Sequence, residues 1–169
     1  MTTLRIGILL AALAGASPAL AEMLKSPVPV QVIDVGGQCD EPPDALIPSP
    51  NASQGQLWRD YEDIPYVIRG DVLPAQLGLG IGIRVRISGY RAGQIVTVRI
   101  QPPVGDVGFW DQEIDPDGTV YFGRVPAFGE PLPQGRYLLQ AYDGNRLLFT
   151  YAIHVEGHDT APLCLPEVS

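Results

Sequence analysis

Histidine, cysteine and basic side chains are all scarce in this chain, and each shortage closes a class of function. Two histidines, His154 and His158, cannot build a three-histidine zinc centre. Two cysteines, Cys39 and Cys164, lie far apart and form no CxxC motif, so neither a zinc ribbon nor a thioredoxin-type redox site is written here. Lysine and arginine total 11 against 19 acids, a net charge of −8. That balance argues against nucleic acid, whose phosphates call for basic patches, and against simple attraction to anionic lipid. No segment approaches the roughly 20 consecutive apolar residues of a membrane-spanning helix. No motif asks for a cofactor, and none is expected.

What is present begins with an export signal. Residues 1–21 read MTTLRIGILLAALAGASPALA. Arg5 supplies the positive start, a short apolar run follows, and Ala19-Leu20-Ala21 is an A-x-A cleavage site. Cleavage after Ala21 exposes Glu22 rather than a cysteine, so the acceptor of a bacterial lipoprotein is missing. The expected location is the periplasm or the extracellular space. Of the 11 basic residues Arg5 is lost with this segment, which leaves 10 against 19 acids, a net charge of −9.

An exported chain with an even cysteine count normally oxidises its thiols. A Cys39–Cys164 bridge is therefore expected, in preference to a reactive or metal-binding pair. It would clip a C-terminal tail, 157–169, to the N-terminal region. Closing so long a loop contributes about 4–5 kcal/mol in the chain-entropy picture.

The remainder reads as short strands. Residues 134–156 form a hairpin of two alternating runs that meet at Asp143-Gly144-Asn145, residue types suited to a tight turn. In its second run Leu147, Phe149, Tyr151, Ile153 and Val155 share one face. Earlier strands are expected over 28–35, ended by Gly36-Gly37, and over 66–73, 79–88 and 94–101. A further hairpin is expected to join 109–114 to 119–125 across Asp115-Pro116-Asp117-Gly118. Residues 22–65 comprise the first strand and a proline- and acid-rich surface excursion, with one short helical turn expected over 56–63. Residues 66–156 form the core. Seven or eight short strands with turn signals about every ten residues and almost no helix predict an all-β fold, an antiparallel immunoglobulin- or fibronectin-like β-sandwich.

Several of these positions also carry a likeness. Val72, Pro74, Ala75, Gly78, Gly82, Ile83 and Arg84 lead into an alternating strand. Some fifty residues later Gly135 and Tyr137 lead to Tyr142-Asp143-Gly144-Asn145-Arg146-Leu147-Leu148 and a strand closing on Ile153 and Val155. Over residues 66–156 this resembles a family of short, secreted bacterial domains of unknown function with an immunoglobulin-like sandwich. The resemblance implies fold and compartment and carries over no catalytic residue.

Motifs that hint at chemistry have simpler readings. Gly78, Gly80 and Gly82 enter a strand and no helix follows, so they lack the context of a dinucleotide loop. Asp115-x-Asp117-Gly118 lacks the later ligands of a calcium loop and reads as a turn. Asp60, Glu62 and Asp63 are the densest acids, a solvated loop before they are a hydrolytic pair. The chain is accordingly expected not to be an enzyme. Two surface sets are candidates for binding. Arg84, Arg86 and Arg99 lie outward on strands that, if paired, would cluster three guanidinium groups able to meet carboxylates. Trp58, Tyr61 and Trp110 are loop-associated aromatics of the kind that stack on sugar rings or anchor a protein. The expected function is an accessory or interaction domain binding a protein or peptide partner in the cell envelope, with a carbohydrate or envelope glycan as the alternative.

Overall fold

The computed structural model describes residues 23–39, 46–48, 56–58, 65–124, 130–157 and 164. The expected signal segment, the acids at 60–63, Tyr61 and His158 lie outside the described residues. Of Trp58 only the backbone is described.

Alternation of apolar and polar residues decides most of the architecture. In β7 (Leu79–Ile87) Leu79, Ile81, Ile83, Val85 and Ile87 are all buried, whereas Arg84 is half-buried and Arg86 exposed. In β8 (Ile95–Gln101) Val96, Val98 and Ile100 are buried between outward Ile95, Thr97, Arg99 and Gln101. A strand with one apolar face must bury it against another layer, and here two sheets meet face to face.

One sheet has the order β1 (Met23–Lys25), β12 (Arg146–Val155), β11 (Gly135–Asp143), β8 and β9 (Gly108–Glu113), with the short β6 (Val72–Leu73) paired in parallel to β12. The facing sheet has the order β10 (Thr119–Arg124), β7, β2 (Val30–Cys39) and β5 (Tyr66–Arg69). A separate hairpin joins β3 (Leu46–Pro48) to β4 (Gln56–Trp58). The strand total therefore exceeds the seven or eight expected, because the excursion contributes its own hairpin and the 66–73 segment is split. The helical turn expected over 56–63 is replaced at its start by strand β4.

The split at 66–73 has a local cause. Gly70 sits at φ 123, a conformation open to glycine, and there the chain leaves one sheet for the other. β5 pairs with β2, while β6 pairs with β12. Gly36 and Gly37 do not end the first strand, as their composition suggested. They lie inside β2, and a Cβ at Gly36 would run into the Ile68 carbonyl oxygen of β5. Those glycines permit the close approach of a neighbouring strand.

The closing hairpin matches expectation, with Asp143 opposite Arg146 across Gly144-Asn145. A register shift at Ala141/Tyr142 lets both Leu148 and Phe149 enter the core and turns Leu147 away from it. β12 is also buried on its outer side at Thr150 and Ala152, because strands flank it on both sides.

The expected hairpin of 109–114 with 119–125 is not made, nor is the pairing of 79–88 with 94–101 that a shared arginine surface would require. β7 and β8 lie in opposite sheets, as do β9 and β10. The links 88–94 and 114–118 cross from one layer to the other. This places β7 and β10 together and β8, β11 and β12 together, with β9 extending the second sheet, the arrangement of an immunoglobulin-like sandwich. Tyr137, fully buried at the start of β11, donates its hydroxyl hydrogen bond to the Pro133 carbonyl at 2.9 Å. That is the tyrosine corner of such sandwiches. The fold is an antiparallel immunoglobulin-like β-sandwich with one short parallel pairing.

Cys39 and Cys164 are disulfide-bonded, with Cα atoms 5.2 Å apart across 125 residues of sequence. The bond fastens the distal part of the chain to the end of β2, beside Gly78.

Candidate functional site

The arginine set is dispersed by the strand order. Arg84 and Arg86 stand on the outer face of the four-stranded sheet, and Arg99 on the outer face of the other. Each is engaged within the molecule. Arg84 lies in register with Asp34 on one side and Tyr121 on the other. Arg86 donates to Gln31 Oε1 at 3.4 Å and to the Asp117 carbonyl at 3.3 Å. Arg99 donates to Gln140 Oε1, whose amide nitrogen donates to Thr150 Oγ1 at 3.2 Å. No single three-guanidinium surface is formed.

Trp110 is likewise not a surface ring. It is only 6% exposed, packs in the core, and donates from Nε1 to Gln112 Oε1 at 3.2 Å. It cannot stack on a sugar. The neighbouring Phe109 takes the opposite side of the strand and is 49% exposed. The aromatic pair Phe109-Trp110 was legible in the sequence; which ring faces water depends on the strand partner of β9.

The Asp115–Gly118 turn spends its carboxylates on itself. Asp117 Oδ1 accepts from the Thr119 amide at 2.9 Å and the Thr119 hydroxyl at 2.6 Å, which holds its pKa below the ordinary carboxylate value. Asp115 is buried within the same turn. Among the described residues no group of three or more potential metal ligands is present.

A feature that residue-by-residue reading missed lies at the outer edge of the larger sheet. β9 pairs with β8 in the register Ile95 with Glu113, Thr97 with Asp111 and Arg99 with Phe109. The Ile114 amide donates to the Gln94 carbonyl at 2.8 Å. In an antiparallel ladder the backbone groups alternate in direction. Gly108, Trp110 and Gln112 therefore bond toward β8, and the N–H and C=O groups of Phe109, Asp111 and Glu113 face the open side. Among the described residues no strand follows β9 in that direction.

The same three residues direct their side chains away from the core. Just before them Val107 continues the outward row and is exposed, and Ile95 beside Glu113 is 61% exposed. Thr97 of β8 donates to Asp111 Oδ1 at 2.8 Å, which holds that carboxylate on the outer face of the sheet. The row thus runs from two apolar side chains, Val107 and Phe109, to two acids, Asp111 and Glu113. The alternation in VGFWDQE is the available signal, but a hairpin with 119–125 would cover this edge, and the fold does not make that hairpin.

A second feature is buried. Arg124, half-buried at the end of β10, faces the interior beside Tyr137, and its Nε and Nη1 are enclosed with no hydrogen-bond partner among the described residues. Burial lowers its pKa, and Tyr137 and Asp106 oppose that shift. Burial in turn pushes the Tyr137 phenol up to about 12, against the pull of Arg124.

No family model matches this chain, and no curated protein matches it. Among solved structures it is similar to an immunoglobulin-like protein from Pseudomonas aeruginosa, with 20% sequence identity and a TM-score of 0.43, over 76% of this chain and 97% of that one.

Proposed function

We propose that this chain is an exported, non-enzymatic interaction domain that binds a protein or peptide of the cell envelope along the open edge of β9. The single observation that carries the reading is the outward set of backbone groups at Phe109, Asp111 and Glu113. An unpaired row of donors and acceptors on a sheet edge accepts an added strand, with the side chains beside it setting preference. The disulfide supports the compartment, because such bonds persist where the surroundings are oxidising. The leader-like residues 1–21 and the resemblance of residues 66–156 to secreted bacterial domains support the same placement.

The test is a photo-crosslinking amino acid placed at position 109 of the exported protein, with position 91, an exposed loop site, as comparison. The reading expects adducts from 109 that vanish when Asp111→Pro removes an edge amide. Adducts from 91 alone, or none from 109, would refute it.

A further inference from the structure

We infer that the strand accepted by β9 is an extended segment carrying two basic residues two positions apart, followed at the same spacing by two apolar residues. The inference rests on the edge-binding reading above and specifies the chemistry of the partner. An added antiparallel strand places its side chains opposite Glu113, Asp111, Phe109 and Val107 in turn, at alternate positions. Directly opposed pairs on a sheet face are favourable when charges are opposite and when apolar groups meet, and unfavourable when charges are alike. Two carboxylates followed by Phe109 and Val107 therefore select lysine or arginine at the first and third guest positions. They select apolar residues at the fifth and seventh.

Charge also decides against a second copy as the occupant. Two copies joined edge to edge in the register that sets Asp111 opposite Glu113 would gather four carboxylates at one seam. The exported chains, residues 22–169, carry 10 basic and 19 acidic residues, −9 each, and repel. A basic segment meets neither obstacle. The Thr97 hydroxyl already holds the Asp111 carboxylate in place at 2.8 Å, which reduces the ordering needed on binding.

The probe is a nine-residue peptide, blocked at both ends, of threonines with lysine at positions 2 and 4, phenylalanine at 6 and valine at 8. Its partner peptide replaces both lysines with glutamate. Each is titrated into the oxidised protein, residues 22–169, and followed by amide chemical shifts and hydrogen exchange. The expected result is slowed exchange at Phe109, Asp111 and Glu113 with the lysine peptide. The double variant Asp111→Lys/Glu113→Lys is expected to weaken that peptide by roughly tenfold or more and to bind the glutamate peptide instead. Binding of the glutamate peptide to the unmodified edge would overturn the basic specification and leave edge binding standing. No change at the three edge amides with either peptide would overturn both. Self-association through the same amides would replace the basic segment by a second copy.

Discussion

At the scale of single residues, two groups on either side of one contact make opposite predictions. Tyr137 gives its hydroxyl to the Pro133 carbonyl, so Tyr137→Phe leaves that oxygen unpaired and should cost about 1–2 kcal/mol in urea denaturation. Its phenol also links stability to pH. The folded pKa is pushed to about 12 from an ordinary 10, so its contribution is complete below pH 10 and is lost as pH rises through 12. Tyr66 is shifted in the same direction by burial and by Asp34. Stability measured across pH 9–12 should therefore fall, and the fall should be shallower in Tyr137→Phe. An equal slope in both would refute the assignment. Beside it, Arg124 has two enclosed guanidinium nitrogens, Nε and Nη1, with no hydrogen-bond partner among the described residues. Replacing such a group by an apolar one of similar reach is often neutral or stabilising. Arg124→Met should leave stability unchanged or raise it by about 1 kcal/mol, and a loss of 2 kcal/mol or more would show that the arginine is satisfied.

At the scale of elements, the strands were legible and their neighbours were not. The alternation of Ile81, Ile83, Val85 and Ile87 and of Val96, Val98 and Ile100 specifies a strand with one buried face whichever sheet it joins. Nothing in that pattern says that β7 and β8 belong to different layers. The link 114–118 carries the aspartates and glycine of a hairpin turn, which is why a hairpin is expected there, and the glycines of 88–94 mark a turn without saying which sheet it leads to. The dispersal of the arginine set and the burial of Trp110 have the same cause, since sheet membership and strand parity decide which side chains share a surface. Gly36-Gly37 failed for the converse reason: glycine marks both a strand end and a close strand approach, and only the position of Ile68 tells them apart. The closing hairpin succeeded because its pairing is local. β9 offers a test of direction within one strand. The Asp111 amide faces the open side and the Gln112 amide faces β8, so Asp111→Pro should fold with a modest drop in Tm, whereas Gln112→Pro loses a ladder bond. The second should lower Tm by several degrees more than the first; equal losses would contradict the direction assigned to the edge.

At the scale of the whole molecule, two apolar sheet faces form the core and one covalent link fastens the chain outside it. The core cluster spans β6 to β12 and includes neither cysteine. Removing the bridge should therefore weaken the protein without changing its fold. Cys39→Ala/Cys164→Ala is expected to cost about 3–5 kcal/mol, with the circular dichroism of a β protein retained. Loss of that spectrum would mean that the bond specifies the sandwich rather than secures it. The molecule's acidic surface and its exposed edge belong together in the account of function, since the negative charges that discourage self-pairing are those that select a basic strand.

Amide hydrogen exchange of the oxidised protein, residues 22–169, tests the central claim most directly, because it reads strand order and the open edge together. The account predicts strong protection along β7, β8, β11 and β12, protection of Gly108, Trp110 and Gln112, and rapid exchange at Phe109, Asp111 and Glu113. Protection at those last three amides in the free, monomeric protein would contradict it.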